Sequence, residues 1–256
     1  MSSLNDSLEK IRITDVLLII LALEGLIILS SIFGFNIDQQ WLYVALVLYF
    51  IYRLRYFGPE FKQDFKNIFS KISIKFLVLI VLVNVFFSYG MLYVSIFLVD
   101  NIPGLSSLFT LVLFPNVVNS FVGVGGMLFT IFISPICEEL LFRGVVLNRL
   151  KLFVPTAFAI IISSILFGLL HNYGNIISAC VFGICMCIIY LKTNNILTCI
   201  FTHFLNNILA EILYFFDTGM LIFTNWVVII LFSILAIVSF YLIFTSIQIE
   251  WKHIEN

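Results

Sequence analysis

Two adjacent glutamates followed by an arginine are the residues in this sequence best suited to chemistry. Residues 138–143 read EELLFR, with Glu138 and Glu139 preceding Arg143, and no charged side chain occurs in residues 101–137. A carboxylate buried in a membrane is costly unless it is paired or hydrated, so ionisable groups inside apolar segments mark functional sites. The cluster therefore predicts a buried site that carries out acid–base chemistry.

Helical spacing assigns different roles to the two glutamates. Residues four apart share a helix face, so Glu139 and Arg143 are expected to form an ion pair, with the acid on the favourable N-terminal side. Glu138 points about 100° away and is left without a helix partner, which suits a general base. A structural ion-pair cluster is the alternative. Cys137 is a weaker candidate nucleophile because its own helix offers it no basic partner.

Two of the three histidines fall in later apolar segments. His171 follows Phe167 by four residues and ends its segment, where an interfacial histidine is the simplest interpretation. His203 and Asn207 are also four apart and project to one side of a helix. They could bind a metal, stabilise an oxyanion or form an interhelical hydrogen bond. Taken with Glu138, these residues favour one catalytic site.

The three motifs, in this order, resemble the CAAX-protease and bacteriocin-processing family of intramembrane endopeptidases, also called the Abi family. Type II CAAX prenyl endopeptidases belong to it. The motifs are Glu-Glu-x3-Arg at 138–143, Phe-x3-His at 167–171 and His-x3-Asn at 203–207. The resemblance covers a catalytic core at about residues 120–210, and residues 1–119 carry none of its motifs.

The resemblance implies six catalytic residues: Glu138, Glu139, Arg143, His171, His203 and Asn207. By this resemblance, Glu138 and His171 would activate the attacking water, while His203 and Asn207 would stabilise the tetrahedral oxyanion. The ion pair of the first motif would hold that motif in shape.

The cofactor stays open at this point. The family is commonly labelled metallopeptidase, and a metal-free glutamate mechanism has also been proposed for it. Glu138, His171 and His203 are of the His2Glu type that binds zinc, but no His-Glu-x2-His helix is present. Zinc and the absence of a cofactor are both compatible with the sequence.

The depth of the two histidines is a difficulty for this site. His171 lies about 16 residues, or roughly 24 Å, into its span, whereas His203 lies about 7 residues, or roughly 10 Å, into its own. The two can meet only if helix ends are staggered or tilted.

The composition predicts a polytopic membrane protein. The 256 residues are 62% hydrophobic and 11% charged, against about 25% charged in soluble domains. Apolar segments of roughly 20 residues predict an all-α membrane bundle with about eight transmembrane helices in a single domain, residues 1–256. The spans are expected near 13–35, 37–53, 75–99, 120–149, 155–171, 175–191, 196–216 and 221–247. Residues 101–119 are expected to be irregular or re-entrant.

Charge placement predicts the orientation. All 13 lysines and arginines, Arg143 included, fall in segments assigned to one side of the membrane. The opposite loops hold Asp38, Asp100 and Asp217 and no basic residue. By the positive-inside rule both termini are cytoplasmic, and a ninth span would break the pattern.

The leading hypothesis is a CAAX-type intramembrane protease that hydrolyses a peptide bond in a membrane-associated peptide or protein near the cytoplasmic leaflet. A non-catalytic immunity or scaffold protein is the alternative. A proton-coupled transporter is disfavoured because the two halves lack repeated discontinuous helices.

The expected partners are the substrate and the lipid bilayer, with no nucleic acid. Short loops and a Phe/Ile/Asn-rich composition favour a bacterial plasma membrane, with pheromone or bacteriocin maturation or immunity favoured over processing of prenylated proteins.

Overall fold

The computed structural model describes residues 4–35, 37–55, 58–102, 124–171, 175–216 and 226–255. All of the regular secondary structure in these ranges is helical. The predicted all-α fold is therefore confirmed. The helices are α1 Leu4–Leu8, α2 Ile13–Ile32, α3 Gln40–Leu54, α4 Gly58–Lys66, α5 Ile74–Asn101, α6 at 124–150, α7 Thr156–Leu169, α8 Ile176–Thr193, α9 Ile196–Phe216 and α10 Trp226–Glu255. From residue 103 onward, the segment expected to be irregular lies outside the described residues.

Within the described ranges, six helices are long and apolar enough to cross a membrane. They contain Ile13–Ile32, Ile74–Leu92, Gly125–Leu150, Ile176–Thr193, Ile196–Phe216 and Trp226–Lys252. Two shorter apolar helices, α3 and α7, occupy two more of the predicted spans. The protein is thus an integral membrane protein with a helical bundle. The count of eight spans and the cytoplasmic termini stay predictions.

The exposure of α2 is consistent with contact to lipid. Of its 20 residues only Val16 is buried, whereas Leu18, Leu21 and Ile32 are each about two-thirds exposed or more. An apolar surface of this extent would cause aggregation in water, but it is the normal surface of a helix in a bilayer.

Helix α6, which carries the glutamate pair, departs from regular α geometry. Its α-helical segment Ser134–Glu139 lies between two π-helical segments, Phe129–Ile133 and Leu140–Leu147. Pro135 lies at the first junction, where it lacks the backbone N–H that a regular helix would use. Wide turns of this kind are rare and occur frequently at functional sites. They alter the direction of the side chains on either side of the glutamates.

Small residues bring α7 and α8 into close contact. A Cβ added to Gly168 would meet Cys180 and would lie 2.9 Å from the carbonyl oxygen of Ile176. A Cβ on Gly183 would lie 3.0 Å from the Cβ of Ser164. Such contacts let helix backbones approach closely within a membrane. As a result, the polypeptide around Phe167 lies directly against the helix that follows it.

The first helix and the residues after it contact the C-terminal part of α6. Leu8 is fully buried, and its Cδ1 would lie 3.2 Å from a Cβ added to Gly144. The Nε and Nη2 of Arg149 donate to the carbonyl oxygen of Ile11 at 3.1 and 2.7 Å. The backbone N–H of Leu4 donates to Asp64 in α4 at 3.0 Å. The Leu8 and Arg149 contacts hold the helix that bears the glutamates near its C-terminal end, and the Leu4 bond connects α1 to α4.

We expect Gly168→Ala to lower thermal stability, because the added methyl group overpacks the α7–α8 contact at a cost of about 1–3 kcal/mol. Gly25→Ala is the matched control, since a Cβ there meets nothing within 4 Å. Alanine also favours a helix over glycine by about 1 kcal/mol, so Gly25→Ala is not expected to lower the melting temperature. Thermal unfolding of the purified variants in detergent measures the difference, and equal melting temperatures would contradict tight packing at Gly168.

Candidate active site

A fully buried ion pair lies at the centre of the site. Glu139 and Arg143 are both 0% exposed, and Nη1 of the arginine lies 3.0 Å from Oε1 of the glutamate. Nη2 donates to the carbonyl oxygen of Gly183 in α8 at 3.2 Å, and the guanidinium carbon lies 4.6 Å from the centre of the Phe167 ring. The predicted pair is therefore present. Arg143 is compensated inside the bundle and lies within the apolar helix Gly125–Leu150, whereas its assignment to the cytoplasmic side stays a prediction.

His203 in α9 lies between the two glutamates. Its Nδ1 is 2.8 Å from Oε1 of Glu139, and its Nε2 is 3.8 Å from Oε2 of Glu138. A glutamate that is ionised and paired with arginine only accepts hydrogen bonds, so Nδ1 is the donor. The imidazole packs edge-on against Phe182, with ring centres 5.0 Å apart. The orientation of the ring is thus fixed, and Nε2 is the nitrogen on the side of Glu138.

Glu138 has a partner that the sequence argument missed. The hydroxyl of Ser134, four residues earlier in α6, donates to Oε1 of Glu138. The expectation that Glu138 lacks a helix partner is therefore wrong. The spacing could have predicted this bond, since a serine four residues before a glutamate lies on the same helix face. With Oε1 engaged, Oε2 is the oxygen that lies near His203.

His171, just after α7, is held by the carbonyl of Phe167. Its Nδ1 lies 3.0 Å from that oxygen. A carbonyl only accepts, so Nδ1 carries the proton, and Nε2 of the neutral ring keeps a lone pair. The ring of Phe167 also lies between the two imidazoles, 4.7 Å from His171 and 6.0 Å from His203, centre to centre. Both histidines line one cavity, so the difference in depth along their helices does not separate them.

This cavity of about 140 Å³ contains polar residues that no motif had indicated. Of the residues that line it, Phe167, His171, His203 and Asn207 belong to the predicted motifs. The additional polar side chains are Asn84, Ser88, Asn175, Ser178 and Asn206. They come from α5, α9 and the beginning of α8. In the sequence, these side chains differ from their neighbours only in being polar residues in or beside an apolar segment. Many structural residues share that placement, so it does not identify a site.

Asn207 is partly committed to the backbone. Its Nδ2 donates to the carbonyl oxygen of Thr130 in α6 at 2.8 Å, and its Oδ1 accepts from Asn206 at 3.3 Å. A primary amide has two N–H donors, so one donor is left for another acceptor. The bond to Thr130 also fixes the direction of that second donor, which suits the stabilisation of an oxyanion.

The described residues do not fit a metal site. Glu138, His171 and His203 are the set that would bind zinc, yet no group of three His, Cys, Asp or Glu side chains in the described part of the chain is arranged to hold one ion. We therefore derive no catalytic step through a metal.

An apolar groove of about 500 Å³ lies along α6 and α9. Ile136 and Leu140 of α6 line it, and they flank the glutamate pair in sequence. Phe204 of α9, adjacent to His203, lines it as well. The rest of the wall comes from α9 itself, from α1, α3 and α4, and from residues beside them. The groove and the polar cavity thus share α9, the helix of His203, and the groove is also bordered by α6, the helix of the two glutamates.

Comparison with known families agrees with the motifs. Residues 120–209 match the model of the family described as Type II CAAX prenyl endopeptidase Rce1-like. This segment is about a third of the chain and contains all six predicted site residues. The resemblance inferred from the sequence is confirmed over these residues. No curated protein and no solved structure matched the chain.

We expect Glu139→Gln to be strongly destabilising, because it leaves Arg143 buried without a countercharge. Loss of one partner of a buried pair costs about 3–5 kcal/mol. Glu250→Gln is the matched control, because its bond to Lys192 joins side chains that are 16% and 31% exposed. A partly exposed pair of this kind is worth about 0–1 kcal/mol. Thermal unfolding compares the two variants, and similar losses would show that Glu139 does not compensate the arginine.

Proposed function

We propose, from the type II CAAX prenyl endopeptidase match of residues 120–209, that this protein is an intramembrane endopeptidase. The observation that carries the proposal is that His171 and His203 line a polar cavity inside an apolar bundle, while Oε2 of Glu138 lies 3.8 Å from Nε2 of His203. Hydrolysis within a membrane requires a place where water and an ionisable base coexist, and apolar helices alone do not offer one.

We propose that Glu138 and His171 activate the attacking water. Oε2 of Glu138 is the oxygen not engaged by Ser134, and Nε2 of His171 keeps a lone pair. Both atoms can accept a proton from a water molecule placed between the two side chains. The water oxygen attacks the carbonyl carbon of the scissile bond, and its proton moves to the Glu138 carboxylate.

The negative charge on the tetrahedral intermediate needs donors. Because Glu138 holds the proton at this stage, the negative groups are the Glu139 carboxylate and the oxyanion, and in the proposed scheme the Arg143 guanidinium and a His203 ring with a proton on both nitrogens balance them. Nε2–H of His203 and the second N–H of Asn207 are the proposed donors to the oxyanion. Both side chains line the cavity.

Collapse of the intermediate completes the reaction. The carbonyl double bond re-forms, the C–N bond breaks, and the proton held by Glu138 passes to the leaving amine. Glu139 and Arg143 act as positioning residues in this scheme, because they hold His203 and the backbone of α8 rather than the substrate.

The apolar groove supports substrates that carry an apolar anchor. We propose a membrane-associated peptide or protein that places this anchor beside Ile136 and Leu140 and its scissile bond at the polar cavity. A peptide-pheromone precursor, a bacteriocin precursor and a prenylated CAAX-type protein are the three substrate classes to assay in parallel. We also propose a bacterial plasma membrane as the setting.

We expect Glu138→Gln to reduce cleavage by about 10²- to 10⁴-fold, because the general base is lost while the shape of the side chain is retained. Glu24→Gln on α2 makes the same chemical change in a lipid-facing helix and should leave cleavage unchanged. Cleavage of each substrate class in membranes or proteoliposomes is the measurement. Full activity in both Glu138→Gln and His171→Ala would refute the assignment, and a phenotype that survives in them would favour the non-catalytic immunity or scaffold function.

We expect cleavage to persist after treatment with a strong chelator, because the ligand geometry among the described residues does not provide a three-ligand set. Metal analysis of the purified protein, run beside the cleavage assay, tests this. Stoichiometric zinc, with loss of activity on removal and recovery on addition, would contradict the metal-free scheme. That result would instead assign Glu138, His171 and His203 as ligands.

A further inference from the structure

A separate apolar cavity of about 100 Å³ lies between α5, α8 and α10. An ion pair stands at one end of it, with Nζ of Lys192 2.6 Å from Oε2 of Glu250. The side chains of this pair are 31% and 16% exposed. The same ammonium lies 6.0 Å from the centre of the Phe76 ring, which also lines the cavity.

The cavity runs inward from the ion pair along all three helices. Its lining extends from Lys192 back to Cys185 in α8 and from Glu250 back to Leu242 in α10. On α5 it extends from Phe76 forward, again by about two turns. Each of these stretches corresponds to roughly 10–12 Å of helix. The cavity is therefore amphipathic along its length, with charge at the mouth and hydrocarbon beyond.

We propose that this cavity binds a phospholipid with an ethanolamine headgroup. Lysine has three N–H donors and gives one to Glu250, so it can also donate to a phosphate. The primary ammonium of the headgroup can donate to the Glu250 carboxylate, whereas the quaternary ammonium of choline has no N–H to give. A headgroup with only negative charge would meet the glutamate as well as the lysine, so charge complementarity favours the zwitterion.

The location agrees with this occupant. Lys192 lies in the last turn of α8, and the predicted topology places that end at the cytoplasmic surface, where headgroups lie. An acyl chain that follows the cavity would pack against Val83 of α5. The next residue, Asn84, lines the polar cavity of the candidate active site. The bound lipid would thus support the helix wall behind that site, and its binding does not depend on protease activity.

The test is native mass spectrometry of the full chain in detergent with ethanolamine, choline and glycerol phospholipids of identical acyl chains. We expect the ethanolamine lipid to be retained preferentially. Lys192→Gln and Glu250→Gln should each weaken this preference about tenfold, the equivalent of one charge-assisted hydrogen bond. Lys62→Gln, an exposed lysine of α4, is the matched control and should retain it.

A second pair of variants tests the apolar part of the cavity. Ile243→Trp fills the cavity from α10, whereas Ile237→Trp adds the same bulk on the same helix at a side chain that is 71% exposed. Only the first should abolish lipid retention. Ile80→Trp, at a partly buried lining residue, fills the cavity from α5 and replaces Ile243→Trp if that variant does not elute as a monodisperse protein. Equal retention of the three lipids by the wild type, or an ethanolamine preference unchanged in the Lys192 and cavity-filling variants, would overturn the proposal.

Discussion

The buried carboxylate of Glu139 is the constraint on which the rest of the site depends. One of its oxygens, Oε1, accepts hydrogen bonds from Arg143 in its own helix and from His203 in α9. The arginine in turn donates to the carbonyl of Gly183 in α8 and lies over the ring of Phe167 in α7. A charge in the interior of a membrane bundle must be compensated where it lies. Its compensation therefore specifies how four helices meet.

The Glu139–Arg143 pair leaves some of its hydrogen-bonding atoms without partners. Among the described residues, Oε2 of Glu139 and Nε of Arg143 are buried without a hydrogen-bond partner. Unsatisfied buried polar atoms are uncommon in native structures and occur where water binds or where strain serves a function. Both atoms belong to side chains that position His203. The site thus combines rigid charge pairing with unused hydrogen-bonding capacity, as the proposed hydrolysis requires.

The bundle separates three environments within a short distance. The histidines line a polar cavity, an apolar groove lies along α6 and α9, and the largely exposed apolar surface of α2 is suited to contact with lipid. Close α7–α8 packing at Gly168 brings together two of the helices that line the polar cavity. Because α9 borders both the cavity and the groove, the proposed function would place the apolar anchor and the scissile peptide bond on either side of one helix.

Features that depend on local spacing or on composition could be predicted from the amino-acid sequence. The apolar segments predicted a membrane bundle, and the four-residue spacing predicted the Glu139–Arg143 pair, because side chains on one helix meet wherever that helix lies. Tertiary structure alone decided that His203 contacts both glutamates and that Asn84 and Ser88 join the cavity. Those contacts depend on helix tilt, on the wide turns of α6 and on the approach allowed by Gly168, none of which a linear spacing records. Ser134 lies between these cases: its spacing was visible, but only the folded helix showed that it donates to Glu138.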